Sequence, residues 1–357
     1  TVDRRIGGLL MKRDKRQKIG RYGLEVTKMG MGGAALGNLY EVVEEDGAAE
    51  TIAGAYAAGI RYFDTAPLYG YGRSENRLGA ALSRYNRNEL AISTKVGYSL
   101  VPRTEEEPPE SPFVDVPPLD KTFDFSRDAV LRSFEESLKR LQTEYIDILF
   151  IHDPDEGISI QPDFHDPYTV SHFSRAMDQV YPAIDELRTQ KVVKAIGAAM
   201  NQWQMLYDFA AEGDFDCFLL AGRYTLLEQE PALKFLPRCE EKGIRVIIGG
   251  PYNSGILATG AVEGAYYNYL PATPDVLDRT RRIQEVCARH DVSLQAAALQ
   301  FPFGHPSIAS VIPGARSAAE IGANVAFFEE KIPNDFWAEF RDLSLVGAQA
   351  RLPLSEN

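Results

Sequence analysis

Three short apolar runs of the chain end on a titratable residue: "RYFD" on Asp64, "LAISTK" on Lys95 and "YIDILFIH" on His152. A fourth titratable group, Tyr69, follows five residues after Asp64 in "YFDTAPLYGYGRSENRLG", residues 62–79. Asp64 and Lys95 lie 31 residues apart, and Lys95 and His152 lie 57 apart, or 28 once the 29 residues of a long loop at 97–125 are set aside. Each interval is one strand-plus-helix unit, so consecutive parallel strands bring a carboxylate, an amine and an imidazole to the same rim, and Tyr69 can fold back over them. Singly, each residue has an ordinary explanation: a solvated rim lysine, a packing tyrosine, a satisfied core histidine. Four titratable groups at neighbouring strand ends are much harder to explain as packing. The chemistry they suit is proton transfer at an oxygen. A phenol titrates at about pH 10; an adjacent ammonium stabilises the phenolate and lowers that value, and a carboxylate keeps the ammonium charged and fixed. His152 can hold the substrate oxygen or relay its proton. A tyrosine so tuned accompanies hydride transfer, because each hydride leaves or arrives with a proton on the carbonyl oxygen.

The elements that must position these groups are short β-rich runs with helical patterns between them. Runs at 61–64, 90–95, 145–152, 192–197, 215–221 and 244–250 read as buried strands, and "GMGG" at 30–33 with "SIASVIPG" at 307–314 brings the number to eight. Amphipathic segments such as 46–59 and 126–142 lie between them, the second opening on Ser126 as an N-cap. Strict alternation implies parallel pairing. Eight units in 357 residues fit a closed (β/α)₈ barrel, and no G-x-G-x-x-G follows the first strand as an open dinucleotide-binding sheet would show.

The expected organisation is an N-terminal extension over 1–17, a single barrel over 18–346 opened by a hairpin, and a tail over 347–357. Two long stretches, 97–125 and 153–168, follow strands on their C-terminal side and, with the loop around 251–268 whose "AYYNY" tyrosines could stack on a sugar or pyridine ring, are expected to wall a substrate pocket, a disordered insertion being the alternative for 103–112. A formal charge of -13 argues against non-specific nucleic-acid binding, and no apolar run reaches the length of a membrane helix. The basic run "MKRDKRQK" at 11–18 lacks a following apolar stretch, so no secretory signal is expected. Three cysteines, Cys217, Cys239 and Cys287, have no zinc spacing and suggest structural thiols in a reduced, cytoplasmic compartment. Oligomeric state is not legible.

The segment at 62–79 resembles the first signature of the aldo-keto reductases, and "VIPGARSAAEIGANV" at 311–325 resembles their cofactor-binding signature. Within that family "FDFSRDAVLRSFEESLKRL", "IHDPDE", "GRYTLLEQE" and "GGPYNSGILATG" look closest to the branch of D-threo-aldose 1-dehydrogenases, L-fucose dehydrogenases and pyridoxal 4-dehydrogenases. The resemblance implies a (β/α)₈ barrel with a nicotinamide cofactor extended across its mouth, and a catalytic tetrad of Asp64, Tyr69, Lys95 and His152. It further implies cofactor contacts at Gly33, Asp64 and Asn201, in the glycine-rich loop Gly250, Pro251, Tyr252, Asn253 and Ser254, and at Gly314, Ala315, Arg316, Glu320 and Asn324. The family's nicotinamide-stacking aromatic falls on Gly249, leaving Tyr252 or Tyr224 as substitutes, and its strand-6 Gln falls on Ala221. NADPH-using relatives often place cations where this chain has Gly314, Ala315 and Glu320. A carboxylate repels a 2′-phosphate and can bond a free ribose hydroxyl, which points to NAD, although Arg316 could bind a phosphate or stack on adenine, and Glu320 could be an exposed helix charge.

The expected activity is NAD-dependent oxidation of a cyclic hemiacetal, a sugar such as L-fucose or a D-threo-aldose, or pyridoxal, to a lactone. The alternatives are an NADPH-dependent carbonyl reductase on the same fold, a Schiff-base lyase using Lys95, and a non-catalytic cofactor-binding subunit.

Overall fold

The computed structural model describes residues 8–105, 111–158 and 166–355. Eight parallel strands follow one another around the sheet in sequence order: β1 (Met31–Gly32), β2 (Tyr62–Asp64), β3 (Ala91–Val96), β4 (Ile146–His152), β5 (Val193–Met200), β6 (Cys217–Ala221), β7 (Arg245–Gly249) and β8 (Ile308–Ile312). Parallel bridges from Met29 to Val311 and from Gly32 to Gly314 bring the last strand back to the first and close the (β/α)₈ barrel. Helices follow the strands on the outside, as parallel pairing requires.

The period-2 alternation of each strand sorts its side chains into two cores. On β4, Ile148 and Phe150 point into the barrel with Tyr62, Ala91, Ala195, Ala199, Cys217, Leu219, Ile247, Ala309 and Ile312. Leu149 and Ile151, one residue out of phase, are packed instead against the helices. Asp64 is in phase with inward Tyr62, Ser93 and Lys95 with inward Ala91, and His152 with inward Phe150. The polar strand ends therefore cap the inner core instead of facing the helices.

An antiparallel hairpin, Arg16–Ile19 with Leu24–Thr27, plugs the opposite end, where Ile19, Leu24 and Val26 join the inner core. The boundary expected after residue 17 falls inside this first strand, and the chain is already structured ahead of it. Gly8–Leu9 pairs with Ile332–Pro333, and Met11 is buried. The expected tail boundary moves as well: Arg341 holds the carbonyls of Ala348 and Ala350, and Ser355 bonds Asn334. The long stretch after β3 forms an antiparallel hairpin, Tyr98–Pro102 with Leu119–Phe123. Part of the insertion expected at 103–112, and part of 153–168, lies outside the described residues.

Candidate active site

Lys95 Nζ donates to Asp64 Oδ2 and to the Thr65 carbonyl, each at 2.8 Å. Ser93 Oγ donates to Asp64 Oδ1 at 2.6 Å and lies 3.0 Å from the Tyr62 hydroxyl. These four residues form a buried chain along adjacent, in-register positions of β2 and β3, where Asp64 pairs with Ser93. Burial pulls the Lys95 ammonium down, but the charges of Asp64 and Tyr69 and their hydrogen bonds outweigh it, so its pKa is raised and it stays charged. Each Asp64 oxygen already has one partner within the protein, Ser93 on Oδ1 and Lys95 on Oδ2.

Tyr69 is held by a backbone crossing. Gly70 is left-handed, with φ 63°, and a Cβ there would strike the carbonyl of Gly37, so the loop after β2 can pass over the 35–37 turn only with glycine at this point. The Lys95 ammonium lies 4.5 Å from the centre of the Tyr69 ring. The sequence-based expectation that Lys95 lowers the phenol is corrected in its net direction. The protein around the hydroxyl pushes Tyr69 up to about 12, and the charge and hydrogen bond of Lys95 only partly offset this. His152 ends β4 with its ring edge-on to Tyr69 and Tyr98, at centroid separations of 6.1 and 5.8 Å. Burial, then the positive charges of Lys95 and Lys121, hold it well below the ordinary imidazole range, so it is neutral at pH 7. The four groups expected from sequence are therefore brought together, three of them at successive strand ends.

The cofactor contacts expected from sequence divide. Gly250, Asn253, Ser254 and Gly255 all have left-handed φ values, of 54°, 46°, 60° and 107°. The loop closes on itself, with the Asn253 N–H bonded to the Gly250 carbonyl and the Gly255 N–H to the Tyr252 carbonyl, each at 3.0 Å. Asn253 Nδ2 bonds the Gly222 carbonyl at 3.0 Å while its buried Oδ1 has no partner, and Pro251 beneath is buried. Tyr252 donates to Asn324 Oδ1 at 2.7 Å, tying this loop to the helix Ala318–Glu329. Gly314 is bridged to Gly32 with Ala315 buried beside it. Ser317 Oγ accepts the Glu320 N–H at 3.2 Å, and Glu320 reaches back to the Arg316 N–H at 2.9 Å. Glu320 thus reaches back across the start of this helix to the N–H just before its N-cap, a structural task the sequence reading did not assign it. The Arg316 guanidinium lies 3.1 Å from Glu41. Asn201 Nδ2 bonds the Ala221 carbonyl at 2.9 Å.

The profile of the aldo/keto reductase family matches residues 28–344. The chain belongs to that family. Among curated aldo/keto reductase relatives, it is 37% identical over 345 residues to a pyridoxal 4-dehydrogenase of Microbacterium luteolum, covering 94% of this chain and 99% of the relative. It is likewise 37% identical over 331 residues to a D-threo-aldose 1-dehydrogenase of Pseudomonas sp, covering 91% and 96%. Among solved structures it resembles the holo form of an aldo-keto reductase from Bacillus halodurans, with TM-score 0.68 at 25% identity and coverage of 94% and 97%. A glycerol dehydrogenase from Gluconobacter oxydans shares the fold, with TM-score 0.71 at 19% identity and coverage of 97% and 98%.

Several expectations for this aldo/keto reductase change in three dimensions. A Cβ on Gly33 would lie 2.6 Å from the Asp64 carbonyl and 2.7 Å from Ser74 Oγ. Gly33 is thus a packing residue behind the site, not an open cofactor contact. Tyr224 is fully buried against Phe301, and Tyr252 points to Asn324, so neither substitutes for the missing aromatic at Gly249. Tyr269, from the hairpin Tyr266–Tyr267 with Leu270–Pro271, instead bonds Asn201. Sequence reasoning also missed Asp153, directly after His152. Its Oδ2 lies 3.6 Å from His152 Nε2, and burial and the neighbouring Asp155 push its carboxyl up to about 8. Its signal in the sequence was only its place directly after His152, since strand alternation puts it out of phase with the inward residues.

Proposed function

We propose that this aldo/keto reductase oxidises a cyclic hemiacetal to a lactone with NAD, through Tyr69, Lys95, Asp64 and His152. The observation that carries the reading is the buried Asp64–Lys95 pair at 2.8 Å, with its ammonium 4.5 Å from the centre of the Tyr69 ring. The partnerless, buried Asn253 Oδ1 in the glycine-bounded turn from Gly250 to Gly255 fits a dinucleotide that brings a donor to it. A bound nicotinamide ring supplies the acceptor for the hydride leaving the hemiacetal carbon. The hydroxyl proton passes to the Tyr69 phenolate as the carbon–oxygen double bond forms. Lys95 raises the phenolate fraction, Asp64 fixes Lys95, and neutral His152 holds the reacting oxygen without competing for a positive charge.

The preference for NAD rests on charge. Arg316 faces Glu41 across 3.1 Å, and its N–H is bonded to the Glu320 carboxylate, so the signature's cation is flanked by two anions where a 2′-phosphate would sit. The intact buried ion pair also opposes the Schiff-base alternative, which needs a neutral, unpaired lysine.

A second direction has its own support. A phenol held up at about 12 keeps its proton at neutral pH, which suits protonation of a carbonyl oxygen during reduction. The deciding experiment measures NADH formation with L-fucose, other aldoses and pyridoxal, each with NAD and with NADP, and the reverse reaction with the lactone or aldehyde. Tyr69→Phe is expected to abolish turnover in both directions while dinucleotide binding persists. Retained turnover in that variant removes Tyr69 from the chemistry.

A further inference from the structure

A carboxyl group that the tetrad does not use opens onto the same mouth. Asp153 adopts a left-handed backbone, with φ 40°, which an aspartate tolerates better than most side chains. Its N–H bonds the Ala199 carbonyl near the end of β5 at 3.0 Å, continuing the pairing of β4 one residue beyond His152. Its side chain remains 24% exposed. The groups facing it come from every element around the mouth: Lys95 from β3, Lys121 from the hairpin at 98–123, and Asp155 from its own loop. Three phenols also lie within its electrostatic reach, Tyr69, Tyr98 and Tyr269.

This carboxyl has no evident structural employment. The 3.6 Å to His152 Nε2 exceeds a hydrogen bond, and a neutral imidazole offers no charge to pair with. Two polar atoms this close on one rim can each bond a different oxygen of the same substrate, His152 the reacting one and Asp153 the next. Burial and then Asp155 raise the carboxyl, favouring the protonated form, which presents one O–H donor beside one carbonyl acceptor. A secondary alcohol needs that combination, because it both accepts and donates.

We propose that Asp153 is a specificity-determining residue that hydrogen-bonds the hydroxyl on the carbon next to the reacting carbon, so that the site selects a cyclic sugar hemiacetal. The identity of the reacting carbon rests on the oxidation proposed above. Pyridoxal carries no hydroxyl on the carbon adjoining its aldehyde, so this contact favours an aldose over it.

The test is calorimetric binding of L-fucose and of 2-deoxy-L-fucose to the wild type, Asp153→Asn and Asp153→Leu, at neutral pH, with NADH formation followed in parallel. The wild type is expected to bind L-fucose about 10-fold more tightly than its 2-deoxy form, the size of one well-made hydrogen bond. Asp153→Asn keeps a donor and an acceptor in the same place and retains the preference. Asp153→Leu loses it. A preference that survives in Asp153→Leu, one lost equally in Asp153→Asn, or a wild type that binds neither sugar overturns the proposal. A preference dependent on residue 153 without any NADH overturns the oxidation reading and leaves this one standing; NADH formation with a preference indifferent to residue 153 does the reverse.

Discussion

Replacing Lys95 by Met separates what the Asp64–Lys95 pair does for stability from what it does for chemistry. The two groups are 2.8 Å apart, with side chains 1% and 2% exposed. At an effective dielectric of about 20, their attraction at that distance is about 6 kcal/mol. Part of this is returned because the ammonium no longer has to be desolvated, and Ser93 Oγ continues to hold one Asp64 oxygen. Breaking such a pair from one side costs about 3–5 kcal/mol, because a carboxylate is left buried without its counter-ion. The double variant Asp64→Asn with Lys95→Met buries no charge and should recover most of that loss. Urea unfolding followed by circular dichroism is expected to place the double variant close to the wild type and Lys95→Met well below both. Oxidation with NAD at neutral pH should fall by about 100-fold or more in both variants, since neither retains an ammonium beside Tyr69. A double variant no more stable than Lys95→Met would refute the ion-pair argument. Wild-type oxidation by Lys95→Met would refute the role of the ammonium in favouring the phenolate.

The position of Tyr69 at about 12 means that its phenolate is scarce at neutral pH and grows as pH rises. The kcat/KM of oxidation should therefore climb from neutral into alkaline pH while reduction does not, and an oxidation plateau already reached at pH 7 would contradict this. Ser93→Ala removes the partner of Asp64 Oδ1 and of the Tyr62 hydroxyl; it should cost about 1–3 kcal/mol in urea unfolding and lower kcat with little change in KM. An unchanged kcat would show that Ser93 does not position Asp64. Lys28, whose ammonium is lowered to about 8 by burial and then by Lys15 and Arg245, costs stability fully below pH 8. Between about 8 and 10.5 the unfolded chain holds the proton that the folded chain has released, so stability should rise with pH across that window. Lys28→Met should flatten this slope and raise stability at pH 7 by about 1–3 kcal/mol, and a slope that persists in the variant assigns it to other groups.

The barrel was legible because its signals are local. Each of the eight strands carries its own apolar run, and the interval between runs is a chain length that survives folding. The rim was legible for the same reason: a residue that ends a strand in phase with inward neighbours can reach only one place, the mouth. That rule found Asp64, Lys95 and His152; Asp153 falls outside it, one residue past the strand and out of phase, with a left-handed backbone that alternation does not anticipate. Tyr269 carried no such signal. It reaches Asn201 only because the loop after β7 doubles back in a hairpin, and no spacing along the chain announces that return. Gly33 and Tyr224 went the other way, since a position near the mouth in sequence turned out to be packed behind it.

Burial depth was the quantity least accessible from sequence, and it governs how the four groups divide their charges. All four lie at one mouth, and Lys95, with the Asp64 carboxylate in direct contact, has its charged form favoured. Tyr69 and His152 share the same dry surroundings without such a partner, and burial drives both toward neutrality, the phenol by raising it and the imidazole by lowering it. The consequence is a site with one buried ion pair, Asp64–Lys95, beside two neutral hydrogen-bonding groups. A proton gained or lost by Tyr69 changes the charge at the mouth by one unit next to an ammonium that does not titrate with it. The phenol can then serve as donor or acceptor according to pH and direction, while Lys95 biases the balance and His152 stays out of the proton count.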